Sequence, residues 1–243
     1  ERGAVWVGHF QAGLDYSLYQ NGLFRTYDYP PLFNSANLSI RSFVNKGQEK
    51  VIGSRDGLFY INEATGVVKS FVKPVLTSDL ILTICFYQGE YYIGTYGGGM
   101  MVLNPETLSL KYFAQGDTEL FQKGHIFCVK PDAKGNLWIG TSQGLFSYNG
   151  QTKQIKSFTS ANSQLPEGNV YEVSFDSTGK GWIATETGMC IYDPASQSLR
   201  SNVFPEGFVN KDKVRTIYED AEHNLYFIRE KGSLFTSTLT MCR

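Results

Sequence analysis

The sequence predicts an all-β fold, and three observations carry the prediction. Six weakly similar segments recur, marked by Gly8, Gly53, Gly94, Gly140, Ala184 and Ile228, at steps of 45, 41, 46, 44 and 44 residues. Each segment holds short runs rich in Val, Ile, Phe, Tyr and Trp, and Gly or Asn breaks the runs. A period of about 40 to 45 residues with four short strands each is that of a β-propeller blade, whereas helical repeats of this length need apolar residues at three-to-four spacing. We therefore expect about six consecutive blade units, part of a larger propeller, with approximate bounds 1–37, 38–80, 81–124, 125–168, 169–212 and 213–243, all within a single domain.

The elements follow in order. In the first unit Ala4-Val5-Trp6-Val7-Gly8 is a second strand with no inner strand before it, Gly13 starts the third, and Leu23 to Tyr27 form the outer strand after an Asn21-Gly22 hairpin turn. The second unit reads as strands at Val51 to Gly53, Gly57 to Ile61 and Val67 to Phe71; the third as Ile81 to Phe86, Tyr91 to Thr95, Gly99 to Leu103 and Ser109 to Phe113. Both have a shorter first hairpin than the later copies, which accounts for the 41-residue step.

The fourth and fifth units are clearest, with inner strands Ile126 to Val129 and Val170 to Phe175. Each leads into an Asp-led turn, Asp132 to Gly135 and Asp176 to Gly179, where a carboxylate caps the turn and a glycine takes positive φ. The sixth runs from Val214 through Asp220 to Leu225–Ile228 and Gly232–Phe235. Asp132, Asp176 and Asp220 recur at one repeat position, as turn caps do and a catalytic set does not. The marker glycines fit where backbones crowd, and Gly57, Gly98 or Gly99, Gly144, Gly188 and Gly232 open the next hairpin.

With 42% hydrophobic residues in 243, the chain can bury a large core. A net charge of -1 without a long basic cluster leaves no footprint for nucleic acid. No apolar run approaches the roughly 18 residues of a spanning helix. The chain opens Glu1-Arg2-Gly3 without a leader pattern and reads as an excised soluble piece. Repeat alignment sets Cys85 level with Val129, one past Cys128, so Cys85, Cys128, Cys190 and Cys242 read as buried free thiols rather than bridges. No Cys or His spacing suggests zinc, and no cofactor is implied.

Leu165-Pro166, Asn169-Val170, Asp176, Gly179 and Trp182, with Asp132, Gly135-Asn136-Leu137-Trp138-Ile139-Gly140-Thr141, Gly144-Leu145 and Tyr148-Asn149, resemble the two-component-regulator propeller repeat. Val51 and Tyr226 replace the tryptophan in the second and sixth copies, and Ile228 replaces the glycine. The resemblance implies the periplasmic sensor region of a hybrid two-component histidine kinase. It implies a homodimeric receptor for oligosaccharides and a phosphorelay whose kinase motifs lie outside this chain.

Propeller ligands usually sit where the loop between strands two and three meets the loop entering the next blade. Those hairpins carry His9-Phe10-Gln11, Arg55, Asp56, Tyr96, Ser142-Gln143, Glu186-Thr187 and Glu230-Lys231. Their variation at one repeat position, mixing donors, acceptors and an aromatic, suits a sugar; a merely solvated rim is the alternative. The candidate ligand residues are Arg55, Asp56, Tyr96, Gln143, Glu186 and Lys231. The longer entry loops, 114–124 and 205–213, add Phe121, His125, Phe208 and Lys211, which either bind or plug a gap between blades. Three scattered histidines and the lack of a Gly-x-Ser-x-Gly motif give catalysis little support. The rival readings are a protein-interaction scaffold and a quinoprotein- or sialidase-like enzyme propeller.

Overall fold

The computed structural model describes residues 4–9, 13–18, 24–26, 39–116, 118–201, 213–229 and 234–238, with backbone alone at 4–26, 118, 229 and 234–238. It is an all-β propeller fold of antiparallel sheets, and the chain divides into two compact units, 1–112 and 113–243.

The first unit opens with a three-stranded sheet, β1 (Ala4–His9), β2 (Gly13–Leu18) and β3 (Phe24–Thr26), the register running Ala4 opposite Leu18. Two four-stranded meanders follow. One is β4 (Ile40–Lys46), β5 (Glu49–Ser54), β6 (Leu58–Asn62) and β7 (Val67–Phe71). The other is β8 (Ile81–Tyr87), β9 (Glu90–Thr95), β10 (Met100–Asn104) and β11 (Ser109–Tyr112). Val51, Tyr60 and Phe71 of one pack on Ile81, Ile84 and Ile93 of the other. Second strands are covered on both faces, which is why β5 and β9 show no alternation of burial and are buried from their second residue onward, Lys50 of β5 being paired with Glu63.

In the second unit a short helix, α1 (Thr118–Lys123), precedes β12 (Ile126–Pro131), β13 (Asn136–Thr141), β14 (Gly144–Asn149) and β15 (Ile155–Phe158). The next sheet is β16 (Val170–Phe175), β17 (Gly181–Thr185), β18 (Gly188–Asp193) and β19 (Ser198–Ser201). The last is β20 (Val214–Glu219), β21 (Asn224–Arg229) and β22 (Leu234–Thr238). The helix was not expected from the sequence. It buries Phe121 completely, edge-on to Phe113 and Phe146, so this aromatic of the entry loop fills a gap in the core.

The repeat marker is explained by crowding. A Cβ on Gly140 would lie 2.5 Å from Cys128 Sγ and 2.8 Å from the Val170 carbonyl of the next sheet, and one on Gly53 would lie 2.4 Å from Ile81 Cγ2. The residue after the marker has a second duty. The hydroxyls of Ser54, Thr95, Thr141 and Thr185 are fully buried and donate to the carbonyls of Gly57, Gly99, Gly144 and Gly188 at 3.1, 2.9, 2.8 and 2.8 Å, closing each hairpin. This bond makes Gly99, not Gly98, the third copy's hairpin glycine.

The cysteine register needs correction. Cys85 lies opposite Tyr92 and Lys130 opposite Trp138, so Cys85 is level with Lys130 rather than Val129. Tyr87 pairs with Glu90 across two residues, Gln88-Gly89, whereas Asp132 donates its N–H to the Asn136 carbonyl and faces Asn136 across three, so the two hairpins differ by one residue rather than two. Cys85, Cys128 and Cys190 are nevertheless buried free thiols, and burial pushes the Cys190 thiol up to about 12. Cys242 lies outside the described residues.

Candidate functional site

Each inner strand bulges at its start. The register slips between Ile40 and Ser42, Ile81 and Thr83, Ile126 and Cys128, Val170 and Glu172, and Val214 and Thr216. The unpaired residue is Arg41, Leu82, Phe127, Tyr171 or Arg215. A bulge re-aims a side chain at the end of a strand, and here it does so beside the hairpin joining strands two and three. The backbone ties the two together: Arg55, Tyr96, Ser142 and Glu186 donate N–H bonds of 3.0, 3.0, 3.1 and 2.9 Å to Ser39, Leu80, His125 and Asn169.

The candidate residues stand on these tied hairpins. In the first unit Arg55 and Asp56 are exposed between β5 and β6, and Tyr96 is 50% exposed between β9 and β10. In the second, Gln143 is exposed between β13 and β14. Glu186 is half-buried and already engaged: its carboxylate accepts the Asn169 N–H at 3.3 Å and stands 3.9 Å from Lys213 Nζ. Gln143 and Glu186 share no hydrogen bond among the described residues. Lys231, Phe208 and Lys211 lie outside those residues. The bulge column was missed in the sequence, although its signal is present: Arg, Leu, Phe, Tyr and Arg vary, each directly after an Ile or Val. Phe127 meets Tyr171 edge-on at 5.1 Å, and the Arg215 guanidinium lies 4.3 Å from the Tyr171 ring centre.

The opposite end of the sheets is built on the three aspartates. Asp132 accepts N–H bonds from Lys134 and Asn136 on one oxygen, and from the Asn136 amide and Trp138 Nε1 (2.9 Å) on the other. Asp176 repeats this with Thr178, Lys180 and Trp182 Nε1 at 2.8 Å. Asp220 does so with Glu222, Asn224 and the Tyr226 hydroxyl at 2.9 Å. The turn-cap expectation therefore holds, and the caps also anchor an aromatic ring donor six residues on. A carboxylate so fully occupied organises a turn and has little capacity left for proton transfer.

Two clefts open at this aspartate end, between the sheets β12–β15 and β16–β19. One, of about 420 Å³, is lined by Asn136, Asn149, Gln154, Lys156 and Gln197. The other, of about 430 Å³, is lined by Asp132, Ser177, Thr178 and Pro194. Lys134 and Tyr192 line both.

Residues 121–143 match the family model of the two component regulator propeller. No curated protein matches the chain. Among solved structures, the extracellular domain of the hybrid two component system BT3049 from B. thetaiotaomicron is 25% identical over 96% of this chain and 32% of its own, with a TM-score of 0.73. The corresponding domain of BT4673 from the same organism is 18% identical over 97% and 31%, at 0.76. PorZ of Porphyromonas gingivalis, a surface component of the type-IX secretion system, is 15% identical over 97% and 37%, at 0.71. The last two likenesses are of fold alone, and the chain spans about a third of each structure's length. The meanders, the Asp-to-Trp links and the matched segment agree: the chain is an all-β propeller that matches the two component regulator propeller model over residues 121–143 and is similar along nearly its whole length to extracellular domains of hybrid two-component systems.

Proposed function

We propose that this chain is part of the extracytoplasmic, periplasmic sensing region of a hybrid two-component histidine kinase, and that it binds an oligosaccharide without transforming it. The observation that carries the reading is the 25% identity to an extracellular two-component domain across 96% of the chain. Two features support it. The variable side chains sit on hairpins that the invariant backbone holds rigid, the usual division between scaffold and recognition. In the first unit the exposed Arg55, Asp56 and Tyr96 offer donors and acceptors with one aromatic face, the chemistry a sugar presents, and in the second unit Gln143 offers an exposed amide. Signalling would be a ligand-driven shift between two arrangements of a homodimer, passed through a membrane segment to the kinase and its phosphorelay.

The test is calorimetry of the full extracytoplasmic region against plant and host oligosaccharides. Binding without product release is expected. Silence across the panel with tight binding to a protein would favour the interaction-scaffold reading, and turnover of a glycoside or a quinone-linked substrate would favour an enzyme.

A further inference from the structure

We infer that the groove at the aspartate end of the second unit, between the sheets β12–β15 and β16–β19, is a binding site for an acidic oligosaccharide. The inference takes the glycan class from the sensor reading and adds a place and a charge.

The charge argument rests on a substitution within the repeat. The outer strands carry a cation at one position: Lys69 in β7, Lys111 in β11, Lys156 in β15 and Arg200 in β19, opposite Tyr60, Val102, Ser147 and Ile191. Lys69 has no ion pair among the described residues, because Glu49 of its sheet accepts instead from the hydroxyls of Tyr60 and Tyr91. Lys111 is neutralised by Glu90 at 2.9 Å and Arg200 by Asp193 at 3.4 Å. Glu90 opens β9 two residues before Tyr92, and the residue at that place in the fourth copy, two before Trp138, is Asn136. Lys156 thus keeps the cation and loses the carboxylate. Its ammonium lies 4.9 Å from the Phe158 ring centre and donates to the Gln197 carbonyl at 3.5 Å. Lys134 likewise reaches only the Pro194 carbonyl, at 3.3 Å. Neither has an ion-pair partner among the described residues. Both lysines converge on one four-residue loop, 194–197, from the neighbouring sheet, and each ammonium has two N–H donors unspent.

The rest of the groove suits a ring of hydroxyls. Asn136 and Asn149 are locked as a ladder: Asn136 donates to Asp132 at 2.8 Å, and Asn149 donates to Asn136 at 3.0 Å. Each amide nitrogen keeps a second N–H, oriented without further entropy cost. Gln154, Gln197 and Thr152 add exposed donors and acceptors. Tyr192 packs on Trp138 at 4.5 Å, and its hydroxyl has no partner among the described residues. Two lobes of about 420 and 430 Å³ joined at Lys134 and Tyr192 make a groove for a chain of sugars rather than a single small anion.

The probes are tri-galacturonate, a sulfated uronate-containing tetrasaccharide and neutral galactotriose, titrated by calorimetry into the full chain. We expect an acidic probe to bind, to weaken as salt rises, and to lose roughly tenfold with each of Lys134→Gln and Lys156→Gln, as for one charge-assisted hydrogen bond. Lys123→Gln, on α1 away from the groove, should leave binding unchanged. A carboxylate or sulfate requirement shows in which acidic probe binds. Binding that survives the Lys134→Gln/Lys156→Gln pair overturns the site. If neither acidic probe binds while a neutral glycan does, the groove falls and the sensor reading stands; if no glycan of any kind binds, both fall.

Discussion

Replacing Asp176 by alanine tests how the repeats are held together. The carboxylate is 9% exposed and accepts from the Thr178 and Lys180 amides at 2.9 and 3.0 Å, and from Trp182 Nε1 at 2.8 Å; the Trp182 ring is 4% exposed. A hydrogen bond to a charged acceptor contributes about 1.5–3 kcal/mol, and the loss of a capping carboxylate about 1 kcal/mol. The variant should therefore lose about 2–4 kcal/mol, a drop of roughly 10 °C in melting temperature for a chain of this size. Urea denaturation of Asp176→Ala, Trp182→Phe and the double variant separates the two parts. Without the indole N–H, the aspartate should be worth only its turn contribution of about 1 kcal/mol, so the coupling should be about 1.5–3 kcal/mol. A coupling near zero would refute the account of the Asp-to-Trp link.

Three further outcomes follow from particular contacts. Gly140→Ala should cost about 1–3 kcal/mol, because its Cβ meets the Val170 carbonyl at 2.8 Å, whereas Ala184→Gly at the same repeat position should cost no more than about 1 kcal/mol; paired urea midpoints check the asymmetry. Phe121→Ala should cost about 3–5 kcal/mol, since the ring is fully buried between Phe113 and Phe146, and thermal melting reads it. Burial raises the Glu172 carboxyl above its ordinary 4.5, so its contribution to stability is present below that value and is lost as pH rises through the folded value. Glu172→Gln should then be more stable than the parent at pH 7 and lose that advantage by about pH 4, as judged by urea midpoints at both.

The fold was legible because the signals that decide it are local and repeated six times. Apolar triplets with a small residue after them mark two-sided burial, and Asp-x-x-Gly marks the turn. What escaped was what repetition conceals. The Asp-to-Trp bond spans six residues and becomes visible only once the strand folds back to bring indole to carboxylate. Cys85 was misplaced by one residue because the shorter hairpin of the third copy was legible but the pairing of Asp132 with Asn136, which leaves three residues in the fourth copy's loop, was not. Residues 118–123 carry too few apolar positions to announce a helix, and tertiary burial of Phe121 makes it one. The hairpin candidates came from variability alone, and variability also held the bulge residues Phe127, Tyr171 and Arg215. The groove could not be read from the sequence, because its lysines matter only where Asn136 leaves Lys156 without the carboxylate that Glu90 gives Lys111.

The central claim, a binding propeller that recognises a glycan without transforming it, is tested most directly by amide hydrogen exchange with and without a saturating oligosaccharide found by calorimetry. The account predicts slowed exchange at hairpins joining strands two and three or, for an acidic oligosaccharide, at β15 and the loop 194–197 of the groove, with the sugar recovered intact. Slowed exchange at neither place, or recovery of a cleaved sugar, would contradict it.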